Sequence, residues 1–243
     1  MPIVTIDCFF DELPSYPSDA VVVGVDVIRS TTTAITAVAS GRRCHVVPSL
    51  DEAVRLQGLL SEPILVGELG GNMPFGFDLN NSPAALATYP HPERAAILIS
   101  SSGTRLLTLA AAHHPTGVAS LRNWQAQADR IAADGPETVI LLGAGTRGEF
   151  REEDQLCCAW IAARLLARGY QAGGETQGIV ERWRDAPAEA ITEGKSAAYL
   201  RDSGQTDDLS FILDHVGDLD ASFEMHGTEV IQTPAARTGG AGG

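Results

Sequence analysis

The chain repeats one pattern: a short apolar run, a polar or glycine-containing turn, then a longer segment whose apolar residues recur every three to four positions. Runs rich in β-branched residues at 21–27, 43–47, 64–67, 95–100 and 138–142 predict buried strands. Segments 31–40, 50–60, 104–112, 123–133 and 152–167 predict helices, each burying one apolar stripe. This alternation predicts an α/β fold: a largely parallel sheet with helices on both faces, in three α/β/α layers. Beyond Gly169 the texture changes to charged helical segments, with a helix predicted at 207–216 and a weak strand at 229–232. No linker marks a boundary there. Residues 1–237 are expected to form a single α/β domain, with room for two joined lobes changing near 169, and the glycine-rich tail 238–243 is expected to be disordered.

Composition narrows the functional classes. A chain of 243 residues with 44% hydrophobic content can bury a core without help from a metal or disulfide. No apolar run is long enough to span a bilayer and no basic leader opens the chain, so a cytoplasmic protein without a membrane partner is expected. The formal net charge of −14 argues against nucleic acid and anionic membranes, which require clustered Lys and Arg. A small anion remains compatible, because helix starts, a few arginines and a divalent cation act at contact range. Cys8, Cys44, Cys157 and Cys158 lack paired metal-type spacing and read as reduced thiols.

In open α/β sheets ligands bind beyond the carboxyl ends of strands, and three such places share one design. Asp26 to Thr33, Ser100 to Arg105 and Gly143 to Gly148 each combine hydroxyls with an arginine and a helix start. Free backbone N–H groups and a positive helix end would face an anion in each. Ser30, Thr31, Thr32, Ser101, Ser102, Gly103, Thr104, Gly145, Thr146 and Arg147 are the candidate anion-binding residues, with Arg29 and Arg105 as the gripping cations. Taken singly, each segment could be an ordinary capped turn. Carboxylates lie beside these turns: Asp26 and Glu68 at strand ends, Asp78 in the following loop, and Glu153 and Asp154 at a helix start. Such a group makes sense as a Mg²⁺ site, since that ion takes one or two carboxylates plus water and substrate oxygens. Helix-capping or surface roles are the alternatives, and acidic residues also open helices for dipole reasons alone.

Other motifs fall away. Cys158 and Arg164 have thiol-phosphatase spacing, but the residues between them read as helix interior. Gly194-Lys195-Ser196 resembles the end of a P-loop, yet Glu189 stands where the earlier glycine is required. The six histidines lack metal spacing.

The segments 26–33, 67–68, 76–83, 101–105, 144–150 and 153–157, in that order, resemble the successive motifs of the 2-phosphosulfolactate phosphatase family. The resemblance implies a Mg²⁺-dependent phosphoric monoester hydrolase that converts 2-phospho-3-sulfolactate to 3-sulfolactate and phosphate, a step of coenzyme M biosynthesis in methanogens. It also implies a homo-oligomer, expected as a dimer. Asn81, in the 76–83 motif, joins the substrate-binding set. Asp26, Arg29, Glu68 and Arg105 become the catalytic set, and Asp26, Glu68, Asp78, Glu153 and Asp154 the metal set. Asp26 sits where haloacid-dehalogenase phosphatases carry their nucleophile, but Ile28 replaces their second aspartate, which favours water as nucleophile. Two alternatives stay open: a phosphatase of another small acidic sugar or hydroxy-acid phosphate, and a binding protein that holds an anionic metabolite without turnover.

Overall fold

The structure, a computed structural model, describes residues 1–8, 10–145 and 149–233, so the expected disordered tail lies outside the described residues. Among these, ten strands form one sheet: β1 (Ile3–Asp7), β2 (Val21–Val25), β3 (Cys44–Val47), β4 (Ile64–Gly67), β5 (Ala96–Ile99), β6 (Thr116–Ala119), β7 (Thr138–Gly143), β8 (Gln171–Gly173), β9 (Phe223–His226) and β10 (Glu229–Gln232). The helices are α1 (Ser30–Ala39), α2 (Leu50–Gln57), α3 (Pro83–Ala87), α4 (Gly103–His113), α5 (Trp124–Asp134), α6 (Glu152–Leu166), α7 (Thr176–Trp183), α8 (Lys195–Asp202) and α9 (Thr206–Asp214). The α/β class and the mostly parallel sheet agree with the pattern of the sequence.

The strand order is β4-β5-β3-β10-β9-β6-β2-β7-β1-β8. Two parallel blocks, β4-β5-β3 and β6-β2-β7-β1-β8, are joined through β10 and β9, which pair antiparallel with each other and with their outer neighbours. Three antiparallel junctions reverse the direction, so the two blocks run oppositely. A flat sheet would therefore set the carboxyl ends of β2 and β5 on opposite edges. Natural twist changes this, because about 20–25° per neighbouring pair accumulates to roughly 100–125° over the five steps from β2 to β5. The ends converge: Ser30 Oγ, just after β2, donates to Ser100 Oγ, just after β5, at 2.7 Å. The single edge expected from the sequence is thus made from two half-sheets.

Both faces are covered, and strand alternation sorts the residues between them. Val23, Val25, Val139 and Leu141 pack under α5, α6 and α7, while Val22, Ile140 and Leu142 meet α4 on the other side. In the other block Cys44, Val46, Val66 and Leu98 pack against α1, and Val47, Leu65, Ile97 and Ile99 against α2. Helix α1 is rich in threonine yet buried, because Thr33 and Thr36 return their hydroxyls to the Arg29 and Thr32 carbonyls. No helix among the described residues is long and apolar enough to cross a membrane.

Helix α4 lies so close to β2 that a Cβ at Gly24 would meet Leu107 Cδ2 at 2.6 Å and force that buried side chain to shift. Gly24→Ala is expected to cost about 1–3 kcal/mol, the usual range for overpacking, and to lower the melting temperature by roughly 3–10 °C. Thermal unfolding followed by circular dichroism checks this, and an unchanged melting temperature would show that α4 can retreat freely.

Candidate active site

The convergence of the two half-sheets leaves a cleft of about 930 Å³. Its walls include Asp26, Arg29, Ser30, Glu68, Asn81, Ser101, Ser102, Arg105, Gly145 and Asp154, all expected from the sequence. Gly103 opens α4 against the site, where a Cβ would collide with Asp26 Oδ2 and stand 2.7 Å from Ser30 Cβ. Only glycine lets the two helix starts come together there. Neither α1 nor α4 is capped by the side chain of its N-cap residue, whereas α2 and α3 are capped by Ser49 and Ser82; Thr31 N donates to the Asp26 carbonyl and Thr104 N to Ser100 Oγ, so each start keeps only part of its first-turn N–H groups for a ligand.

Asp26 is buried at the end of β2, and its carboxyl is pushed up to about 6. Burial is the main cause; hydrogen bonds from Ser30 oppose it, the charge of Glu68 adds to it, and Arg29 lowers it slightly. Asp154 accepts from Val27 N at 2.7 Å and is raised well above the carboxylate range, by burial first and then by the charges of Asp26 and Glu153. Glu68 accepts from Ser101 N (2.8 Å), Ser101 Oγ (2.9 Å) and Gly71 N (2.7 Å), tying the β4 and β5 ends together. Arg29 is buried and donates to Asp208 at 2.5 Å and to Gln205 at 2.7 Å. Asp208 also accepts from Ser82 Oγ and Ala84 N, so one carboxylate anchors α3, α9 and the arginine.

Some expected residues do not reach the cleft wall. Thr31 and Thr32 turn their hydroxyls back to the Asp26 and Val27 carbonyls, and Thr104 does the same to Ser100, so all three brace turns from behind. Asp78 accepts from Leu65 N at 2.8 Å, which holds it against β4. Glu153 is buried beside Gly194 and Ser196 rather than in the cleft, with its carboxyl raised chiefly by burial. Thr146 and Arg147 lie outside the described residues. Cys157 and Cys158 are buried in α6 away from the cleft, and burial drives both thiols well above their ordinary range. Cys8 does line the cleft, but burial together with Asp7 and Asp154 pushes it up to about 12, so it is a protonated thiol.

Arg151 and Tyr199 line the cleft without having been picked out from the sequence, Lys195 and Ser196 line it although their run was set aside, and Gln205 and Asp208 stand behind Arg29. The Gly194-Lys195-Ser196 run is no P-loop, yet its last two residues belong to the site. Only the topology could have found them, since they open a separate helix far along the chain.

Among the described residues no group of three or more His, Cys, Asp or Glu side chains could hold a metal ion. Mg²⁺ needs fewer protein ligands than that. The donors present suit it: Asn81 Oδ1 is a buried oxygen without a partner on the cleft wall, and Asp26 is a buried carboxylate whose charge is poorly compensated.

Two helix starts, buried arginine and strand-end carboxylates around one cleft in an α/β sheet define an enzyme class that handles small phosphate esters. Known proteins agree with that class. The family profile described as 2-phosphosulpholactate phosphatase matches residues 9–217. A Synechococcus sp. protein named "Probable 2-phosphosulfolactate phosphatase" is 36% identical over 170 residues, covering 68% of each chain. Proteins of the same name from Synechocystis sp. and Deinococcus radiodurans are 30% identical over 206 residues and 31% over 209, covering 81% and 83% of this chain and 85% and 86% of theirs. The chain belongs to the 2-phosphosulfolactate phosphatase family, and it is an enzyme of the hydrolase class.

Asp208→Ala should leave Arg29 buried and unpaired and cost about 3–5 kcal/mol, the usual range for a broken buried ion pair. Urea unfolding reads the loss directly. A change below about 1 kcal/mol would mean that water reaches the guanidinium and replaces the carboxylate.

Proposed function

We propose that this protein is a Mg²⁺-dependent phosphatase that releases phosphate from 2-phosphosulfolactate. The observation that carries the reading is the meeting of Asp26, Glu68 and the uncapped starts of α1 and α4 in one cleft, within a chain of this family. The phosphate sits against the starts of α1 and α4, at the first-turn N–H groups that Asp26 and Ser100 leave free, with Ser102 Oγ as a further donor. Arg29, held by Asp208, and Arg105, whose side chain has no ion-pair or hydrogen-bonding partner among the described residues, grip its oxygens. These donors stabilise the charge that builds on the equatorial oxygens as the ester bond breaks. Asp26 and Glu68 hold Mg²⁺, with Asn81 Oδ1 and Asp154 close by to orient its water shell. Bound there, the ion supplies Lewis-acid neutralisation of the phosphate and lowers the pKa of water. Water rather than Asp26 is the nucleophile in this reading.

Chelation should abolish phosphate release and Mg²⁺ restore it. Asp26→Asn keeps the shape and removes the charge, so apparent Mg²⁺ affinity and turnover should fall together. The drop in turnover should be roughly thirty- to thousandfold, equivalent to about 2–4 kcal/mol. Near-normal turnover in folded Asp26→Asn, or full activity in metal-free protein, would overturn the assignment.

The Asp26 carboxyl, near 6, also sets a pH dependence. Its ionised form is the ligand, so apparent Mg²⁺ affinity should fall as the pH drops below about 6, approaching tenfold per unit. Stability moves the other way. The folded state holds this proton more tightly than the unfolded chain, so in metal-free protein the group's contribution rises as the pH falls from about 6 towards 4. Calorimetric titration of Mg²⁺ across this range tests the first statement, and metal affinity independent of pH would exclude Asp26 as a ligand.

A further inference from the structure

One wall of the cleft carries none of the phosphate or metal groups named so far. That wall comes from the starts of α6 and α8 and carries Glu149, Arg151 and Lys195. Lys195 is the only lysine in the chain, the other 16 of its 17 basic residues being arginine. It donates to Glu149 Oε2 at 2.6 Å, and both side chains are more than half exposed. An exposed ion pair of this kind contributes little and is readily exchanged. The Arg151 side chain has no hydrogen-bond or ion-pair partner among the described residues, although its charge helps to hold Glu149 below the ordinary carboxylate range, after that of Lys195, and also acts on Glu153 and Asp154. Arg105, Arg151 and Arg184 are the described arginines without such a partner, and two of these three line the cleft. In a chain of net charge −14 an unpaired arginine facing a cavity needs an explanation, and an anionic ligand supplies one.

We propose that Lys195 and Arg151 form a second anion subsite that holds the substrate's sulfonate, with Glu149 occupying Lys195 until the substrate displaces it. The proposal rests on the phosphatase reading above. A sulfonate is tetrahedral at sulfur, stays ionised and offers three equivalent oxygens. An ammonium with three rotatable donors holds it without demanding planarity, whereas a planar carboxylate is better matched by an arginine fork. Glu149 is an internal oxyanion already bound where the sulfonate would bind. Exchange keeps Lys195 paired and releases the Glu149 carboxylate to water.

The test compares 2-phosphosulfolactate, 2-phospholactate, which lacks only the sulfonate, and p-nitrophenyl phosphate, which lacks both further anions. Lys195→Met should raise KM for the sulfonated ester about tenfold or more, with kcat and the KM of the other esters changed less than about threefold. Lys195→Arg should recover most of the loss, and Glu149→Gln, which removes the internal competitor, should lower KM for the sulfonated ester. Equal effects on all three esters would put Lys195 at the phosphate, and equal effects on the first two alone would put it at the carboxylate; either overturns the proposal. A second readout needs no turnover. Acetic anhydride can acetylate one lysine in this chain, and 3-sulfolactate, but not lactate, should protect Lys195 in peptide mass maps. Protection without phosphate release from any ester would sink the phosphatase reading and keep the subsite. Phosphate release with neither protection nor a KM effect would sink the subsite alone.

Discussion

The site depends on one close approach: the first turn of α4 lies against the end of β2 at Gly103, where no side chain fits beside Asp26 and Ser30. Two half-sheets that run in opposite directions must be twisted towards each other for this to happen, and the Ser30–Ser100 hydrogen bond closes the seam. Each block alone would offer only part of a site. The β2 side brings Asp26 and Arg29; the β4-β5 side brings Glu68, Ser101 and Arg105. What in simpler α/β proteins is a crevice at the reversal of strand order is here a fold in the sheet itself.

Charge at the seam is arranged to be incomplete. Asp26 and Asp154 are buried near one another with too little positive charge to hold both ionised, which is why both carboxyls are raised. Arg29 does not repair the deficit, because its Nη1 is committed to Asp208 and Gln205, and its charge lowers Asp26 only as the smallest of the effects on that carboxyl. That pairing keeps a cation rigid at the cleft without neutralising the carboxylates opposite. An acidic protein can in this way receive an anion: the repulsive charges are set where a divalent ion can lie between them and the ligand, and the attractive ones are fixed by second partners or left unpaired.

Much of this was legible in the sequence. The strands with continuous apolar runs, such as Val21–Val25 and Ile64–Gly67, stand out because they are buried on both faces, and the helices between them show their stripes. Strand β6 does not, because Thr-Gly-Val-Ala holds a single large apolar residue, and β1 does not, because Ile3–Asp7 alternates with polar residues and owes its burial to β7 and β8, much later in the chain. Asp26, Glu68, Ser101 and Arg105 could be read at strand ends, where position alone is informative. The hydroxyls of Thr31, Thr32 and Thr104 could not be assigned a direction, since serving a turn and serving a ligand call for the same residue type at the same place. Asp208 was invisible for another reason, since an acid in a first turn has an ordinary local explanation, and Lys195 drew notice only as part of a failed P-loop pattern.

The hairpin β9-β10 has a consequence for how the chain comes to be folded. It occupies the middle of the sheet, yet it is made from residues 223–232, almost the last of the described chain. A ribosome delivers residues in order, so both parallel blocks emerge complete while the strand edges of β3 and β6 that they must share with the hairpin are still bare. Pairings such as Val230 with Cys44 close loops of nearly the whole chain, which is slow by its topology. During that interval the nascent protein carries two open edges of the kind that invite wrong partners, and the seam that makes the cleft cannot yet be drawn shut. The protein therefore acquires its active site in a single late event rather than piece by piece.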